Sequence, residues 1–401
     1  MTEELTALFN LPKDVKFCKR CGISNQRPSS AVEFKNVNKK ETIFFDDTGV
    51  CSACRFHDMK YNEFDWNERE RQLVDLLDKH RSPSSDYDVI VPGSGGKDSF
   101  YVAHTLKHRY GMHPLTVTWP PQMYTDIGWR NFISWLDMGF ANISIHPNRQ
   151  LHKEMTRAAF LNLCHPFQPF IVGQKQVGPK TALRYGVKLV FYGESQAENG
   201  NNIEEGLNPR MNRKYYTKPS ESRYDAVIGG VHYNDWLTRG FSKADLDHYI
   251  PIAEEGARNA GVEVHHMGYY HRWRPQDIYY YAVEHGKFQP NQTRSEGTYS
   301  KYASLDDRID GFHYYTTFIK FGIGRAAYDS AQETRNGHLT REEAVALIHK
   351  YDGEFPKKYF KDFLEYCDIS EDQFWKTIDK NRSPHLWRKS GNEWALRFQI
   401  S

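Results

Sequence analysis

Val89-Ile90-Val91-Pro92-Gly93-Ser94-Gly95-Gly96-Lys97-Asp98-Ser99 is the stretch on which the reading of this chain turns. The β-branched run predicts a buried strand. SFYVAHTLKHRYG follows as a helix closed by Gly111. Between them, Gly93, Gly95 and Gly96 allow successive N–H groups to converge on an anion, and the helix N-terminus adds its positive end. Lys97 adds a full charge, and Ser94 and Ser99 add hydroxyl donors. Asp98 does nothing for a bare phosphate, so its presence points to Mg2+. The segment is not a Walker A loop. Val91 stands where that motif needs glycine, and Asp98 stands where it needs serine or threonine.

Outward from this turn the pattern alternates strand and helix. HPLTVTW, NISIH and VKLVFYGE read as further strands, IGWRNFISWLDMG and GPKTALRYG as helices, and VEVHHMGYY as a candidate fifth strand. Such alternation predicts a parallel sheet covered on both faces. WNERERQLVDLLDKH predicts an amphipathic helix with Leu73, Leu76 and Leu77 on one face. Residues 195–240, rich in Asn, Gly and Arg, are expected to form a long loop over the carboxyl end of the sheet. The last third is expected to be mainly helical, with capping boxes at Thr340/Glu343 and Ser370/Gln373.

Ahead of the sheet lie FCKRCG and VCSACR. Cys18, Cys21, Cys51 and Cys54 have the spacing of a closed four-thiolate zinc site, hence a structural metal, with an iron–sulfur cluster as the minority option. Cys164 and Cys367 stand alone and read as small buried hydrophobes. The expected divisions are a four-cysteine, zinc-ribbon-like module over 1–60, an α/β nucleotide domain over 61–271 and a helical region over 272–401.

The chain has 401 residues, 39% hydrophobic, with 53 basic and 51 acidic residues. A net charge of +2 argues against a dedicated nucleic-acid binder. No run of eighteen apolar residues occurs, so no membrane insertion is expected. MTEELTALFNLPKD has no signal-peptide pattern, and a cytoplasmic protein is the expectation.

SGGKDS, after a strand and before a helix, resembles the loop of the PP-loop ATP pyrophosphatases. The resemblance implies that ATP is cleaved between its α- and β-phosphates and that AMP is joined to a carbonyl oxygen. Nitrogen or sulfur then displaces the AMP. CKRCGISNQRPS, GVCSACR, SGGKDS, LVFYGE, FIKFGIGRAAYD and HLTREEAVALIHKYDGEFP together look like the N-acetyl sugar amidotransferases, from about residue 17 to about residue 365. That family makes acetamidino sugars for bacterial surface polysaccharides, LPS O-antigen and flagellar glycans.

By this resemblance, Ser94, Gly95, Gly96, Lys97, Asp98 and Ser99 would hold pyrophosphate, and the adenine would sit near Thr118. Gly193 and Glu194 would face the same crevice, with Lys97, Asp98 and Glu194 as the catalytic set. Arg325 and, more weakly, Lys320 and Arg308 would meet an anionic part of a nucleotide-linked N-acetylated sugar, such as a uronic carboxylate. Cofactors would be ATP, Mg2+ and structural Zn2+. Neither Cys164 nor Cys367 lies in a nucleophile elbow and the chain opens Met1-Thr2, so ammonia is expected from separate glutaminase and cyclase-like subunits. A tRNA-modifying enzyme of the same superfamily is the alternative. It needs a basic face and spare cysteines, against which the charge balance counts. A silent zinc-ribbon scaffold is a third reading, against which the intact loop counts.

Overall fold

Strand-forming residues at Val89–Pro92 (β1), Pro114–Thr118 (β2), Ala141–Ser144 (β3), Leu189–Tyr192 (β4) and Glu263–His266 (β5) build one sheet in the order β3-β2-β1-β4-β5. The computed structural model describes residues 5–29, 41–84, 86–391 and 393–401. Every pairing in the sheet is parallel; Val89 lies opposite Pro114 on one side and Leu189 on the other. β5 is the strand expected from VEVHHMGYY.

Side chains alternate between the faces, as period two requires. Val89, Val91, Leu189 and Phe191 share a core with Leu73 and Leu77 of α2 (Trp66–His80), Phe100 and Leu106 of α3 (Lys97–His108), Trp135 of α4 (Asp126–Leu136) and Ile278 of a later helix. Ile90, Val117, Val190 and Val264 pack the other way, against Leu151 and Met155 of α5 (Arg149–Leu163) and Val172 and Val177 of α6 (Gln168–Tyr185). Each such fully buried aliphatic stabilises the fold by about 1.5–3 kcal/mol relative to exposure. α1 (Ser52–Asn62) begins at the last CxxC pair.

The chain order reverses between β1 and β4, which leaves a crevice outside their carboxyl ends. α7 (Pro275–Gly286) packs on α3 there, so closely that a Cβ on Gly286 would lie 2.6 Å from the Phe100 ring.

Beyond α7 come α8 (Asp310–Phe321), α9 (Arg325–Arg335), α10 (Arg341–Tyr351), α11 (Phe360–Cys367) and α12 (Glu371–Lys380). Both expected capping boxes form. The chain then departs from the helical expectation, pairing β6 (Trp387–Ser390) antiparallel with β7 (Glu393–Leu396).

Residues 195–240 also differ from expectation. They hold short helices, Ile203–Leu207 and Tyr233–Thr238, and a small hairpin, Val227–Ile228 with Val231–His232. That hairpin lies on α5, where Asn162 Nδ2 donates to the Gly229 carbonyl at 2.9 Å, and Trp236 is fully buried. Among the described residues, no helix is long and apolar enough to cross a membrane.

Candidate active site

The glycine turn is shaped by two close approaches. Gly95 has φ +90°, and a Cβ there would lie 2.7 Å from the Asn131 carbonyl of α4. At Gly93 the same atom would strike Ser99 at 2.5 Å. Gly96 differs: its φ of −70° suits any residue, and a Cβ would meet nothing within 4 Å. The protein itself does not need glycine at 96. Open space against the backbone, at the N-terminus of a twelve-residue helix, is what a close-lying anion needs.

Ser94, Gly95, Gly96, Lys97 and Asp98 border a cleft of about 1100 Å³. Its walls are Phe167, Phe170 and Gln174 near the start of α6, Tyr279 and Tyr280 of α7, and a C-terminal wall from 299 to 339. That wall hangs on the β2–α4 connection. Thr125 caps α4 by accepting from Gly128 N–H at 3.0 Å and donates its own hydroxyl to the Leu305 carbonyl. Asp307 accepts the N–H groups of Met123, at 3.3 Å, and of Ile309, at 2.9 Å. The result brings Asp306 to the glycine turn, where the Ser94 hydroxyl donates to its carboxylate at 3.4 Å across 212 residues of chain.

Lys97 Nζ lies 2.7 Å from both oxygens of Asp98. Burial, with the charge of Asp310, pushes the Asp306 carboxyl up to about 6; burial raises Asp310 as well. Arg325 lies on the same wall. Burial works against its charge, but Asp329, Tyr314 and Asp310 outweigh that and hold the guanidinium firmly protonated. Its Nε sits 2.9 Å from Asp329 in an ion pair, and Nη1 donates to the Tyr314 hydroxyl.

The other expected residues fall around this cleft or away from it. Gly193 lets the Trp273 ring approach the end of β4, where a Cβ would lie 2.8 Å from it. Glu194 does not line the cleft, but burial and the neighbouring Asp98 charge raise its carboxyl, and Asn199 donates to it at 2.8 Å. Ser99 supports the turn by donating to the Gly96 carbonyl at 3.0 Å. Thr118 is buried with its hydroxyl bonded to Asn142 at 3.0 Å. Lys320 is a correction. It is fully buried with Nζ 2.7 Å from the Leu163 carbonyl, so it holds α8 to α5 and does not border the cleft. Arg308 is likewise tied, to Asp362 at 3.1 Å. The acidic wall of Asp306, Asp310, Asp329 and Glu333 was not singled out in the sequence, although SLDDRID is a visible carboxylate cluster.

The four cysteines converge. Their sulfurs all lie within 4.8 Å of one another, buried, with Cys18–Cys54 at 3.9 Å and Cys21–Cys51 at 3.6 Å. A tetrahedral zinc with Zn–S bonds of about 2.3 Å requires sulfur–sulfur edges of about 3.8 Å. Disulfides need about 2.05 Å. The donor set therefore fits a closed four-thiolate metal site. Arg335 Nη1 donates to Cys21 Sγ at 3.7 Å and its Nη2 to the Glu198 carbonyl at 3.1 Å. Cys164 and Cys367 are buried and border neither the cysteine group nor the cleft.

An α/β protein with an anion-type glycine turn at its switch point and a separate four-cysteine centre is the class these features define. Residues 296–399, about a quarter of the chain, match the model of a family described as LPS biosynthesis protein WbpG-like, C-terminal domain. The match covers the acidic wall, Arg325 and the terminal hairpin, and it supports a biosynthetic enzyme of LPS assembly. No curated protein matches the chain.

Proposed function

We propose that this chain is an ATP-dependent amidotransferase of LPS O-antigen or flagellar-glycan biosynthesis, of the N-acetyl sugar amidotransferase family and PP-loop superfamily. It converts the acetamido group of a nucleotide-linked N-acetylated sugar to an acetamidino group, in the cytoplasm. The observation that carries the reading is a juxtaposition: the glycine turn borders the same cleft as the WbpG-like wall.

The chemistry suits those parts. An amide oxygen is a poor leaving group until it is joined to phosphorus. The acetamido oxygen attacks the α-phosphorus of ATP, and pyrophosphate leaves with the bonding pair. Ammonia adds to the resulting imidate carbon, loses protons, and expels AMP, which carries the former acetamido oxygen. Charge that develops on pyrophosphate meets Lys97 and the α3 N-terminus. Asp98 is the cleft residue that would hold Mg2+, which would neutralise phosphate charge when bound; Glu194, outside the lining, would act on the site through its charge beside Asp98. Asp306 has the environment of a proton acceptor for the incoming nitrogen. Arg325, pre-paired with Asp329 and half-buried, would present the anion-binding side of the sugar subsite.

Seven carboxylates line the cleft (Asp98, Asp277, Asp306, Asp307, Asp310, Asp329 and Glu333) against the cations Lys97, Lys301 and Arg325. Burial raises the carboxyls of Asp306, Asp307 and Asp310, so this lining does not bar ATP, and it is the near-balanced charge of the whole chain that favours the sugar reading over tRNA modification. Ammonia would come from glutaminase and cyclase-like partners. The test incubates the protein with ATP, Mg2+, ammonium and a panel of N-acetylated nucleotide sugars. The reading predicts AMP release that depends on sugar, with a product about one mass unit lighter as oxygen is replaced by NH. AMP release with tRNA alone would contradict it.

A further inference from the structure

The cleft, at about 1100 Å³, exceeds the roughly 300–1,000 Å³ of a pocket for one small ligand, so it has room for two. Three of its tyrosines form a continuous ledge. Tyr302 is the inner end, its ring centroid 6.0 Å from Lys97 Nζ. Tyr279 stacks on Tyr302, with centroids 4.3 Å apart and planes at 17°. Tyr280, the next residue on α7, follows with its centroid 5.3 Å from that of Tyr279. The inner two rings are fixed. The Tyr302 hydroxyl donates to Gln276 Oε1 at 2.7 Å, and the Tyr279 ring meets Phe288 edge-on at 6.1 Å. Tyr280 differs: it borders the cleft and is 59% exposed. A rigid stack that ends in an open ring offers its last face to another flat ring.

Charge is arranged to match. The lysine and arginine side chains on the cleft are Lys97, Lys301 and Arg325. Lys97 is paired with Asp98, and Arg325 with Asp329. Lys301, beside Tyr302 in the chain, is exposed and forms no ion pair among the described residues. Asp277, one turn before Tyr280, is already met by Arg274 at 3.5 Å. An open aromatic face with a spare cation is what a nucleobase carried on a phosphate requires. Lys301 and Tyr302 also fall within residues 296–399, the WbpG-like part, whereas the glycine turn belongs to the sheet. The ledge is thereby tied to the sugar side of the site rather than to the ATP side.

We propose that the Tyr302–Tyr279–Tyr280 ledge, with Lys301, is the subsite for the carrier nucleotide of the sugar substrate. The base lies on the Tyr280 ring, a phosphate meets Lys301, and the sugar is directed to the inner end of the ledge, where Lys97 stands. The proposal rests on the amidation reading above and adds that the substrate is held by its nucleotide.

The test has two arms. In the first, protein saturated with α,β-methylene-ATP and Mg2+ is titrated calorimetrically with UDP, GDP, dTDP and CMP. At least one should bind. Tyr280→Ala and Lys301→Ala, both at exposed positions, should each weaken it about tenfold, the scale of one lost base stack or charged contact. Tyr280→Phe keeps the ring and should bind within about twofold of wild type. In the second arm, AMP release is followed with N-acetylated nucleotide sugars. Both alanine variants should raise KM for the sugar substrate about tenfold and leave KM for ATP within about twofold. Binding of none of the four nucleotides, unchanged affinity in either alanine variant, a tenfold loss in Tyr280→Phe, or a rise in the ATP KM instead overturns the subsite alone. Wild-type AMP release that ignores every nucleotide sugar overturns the amidation reading, and the subsite with it.

Discussion

At the residue scale, the glycines of one turn serve different ends and can be separated by experiment. Gly95→Ala forces a Cβ into the Asn131 carbonyl at φ +90°, and should cost about 2 kcal/mol or more in denaturant unfolding. Gly96→Ala has neither problem, so its stability should change by less than about 1 kcal/mol. Its affinity for ATP should nonetheless fall about tenfold or more, by equilibrium binding, because the methyl occupies the space the phosphates need. An equal loss of stability in both would contradict a ligand-imposed glycine. His152 supplies a pH prediction. Burial lowers its imidazole to about 3, and Nδ1 meets the Tyr249 hydroxyl at 2.6 Å. The unfolded chain binds the proton more readily, so this contribution is whole above pH 6.5 and lost as pH falls toward 3. By pH 5 the loss amounts to about 2 kcal/mol, and His152→Gln should flatten the stability profile by that much between pH 6.5 and 5. The placement of Ser94–Ser99 between a strand and a helix was legible in the sequence because the β-branched run, the glycines and the helix signal are contiguous. Lys320 misled because charge alone does not say whether an ammonium meets a ligand or, as here, the Leu163 carbonyl inside the core.

At the element scale, α9 works as a strut. Its first turn sets Arg325 in the cleft, and its last residue, Arg335, holds Cys21 and the loop that follows Glu194. The four-cysteine centre therefore braces the active-site walls without reaching them. Elemental analysis should find about one zinc per chain. Cys51→Ser should lose it and destabilise the fold by about 3 kcal/mol or more, while whatever stays folded keeps most of its turnover. A stable, folded Cys51→Ser protein with no turnover would contradict a structural metal. The caps at Thr340 and Ser370 were legible because three-residue spacing settles them locally; Thr340→Ala should cost about 1 kcal/mol in thermal or chemical unfolding. The β6–β7 hairpin was not, since RKS and EW lack the alternating apolar pattern. Its turn signal, Gly391-Asn392, was present. Residues 195–240 failed for a different reason: short elements held by long-range packing, such as Trp236 under the hairpin on α5, leave little periodicity.

At the scale of the whole molecule, the site is an assembly of segments distant in sequence. Ser94 and Asp306 meet across 212 residues, and α6 supplies the opposite wall. The parallel sheet followed from alternation, whereas the strand order, with its reversal between β1 and β4, came only from the structure. The acidic wall depends on how 299–310 docks on Thr125 and Gln122, a tertiary fact that no local pattern encodes. The central claim is that the acetamido oxygen is carried off on AMP. The most direct measurement uses an N-acetylated nucleotide sugar labelled with oxygen-18 in the acetamido group, with ATP, Mg2+ and ammonium, and reads the label by mass spectrometry. The account predicts one labelled oxygen in the AMP phosphate and none in the sugar product, with no AMP formed by Lys97→Ala. Label left in the sugar, or AMP formed without it, would contradict the account.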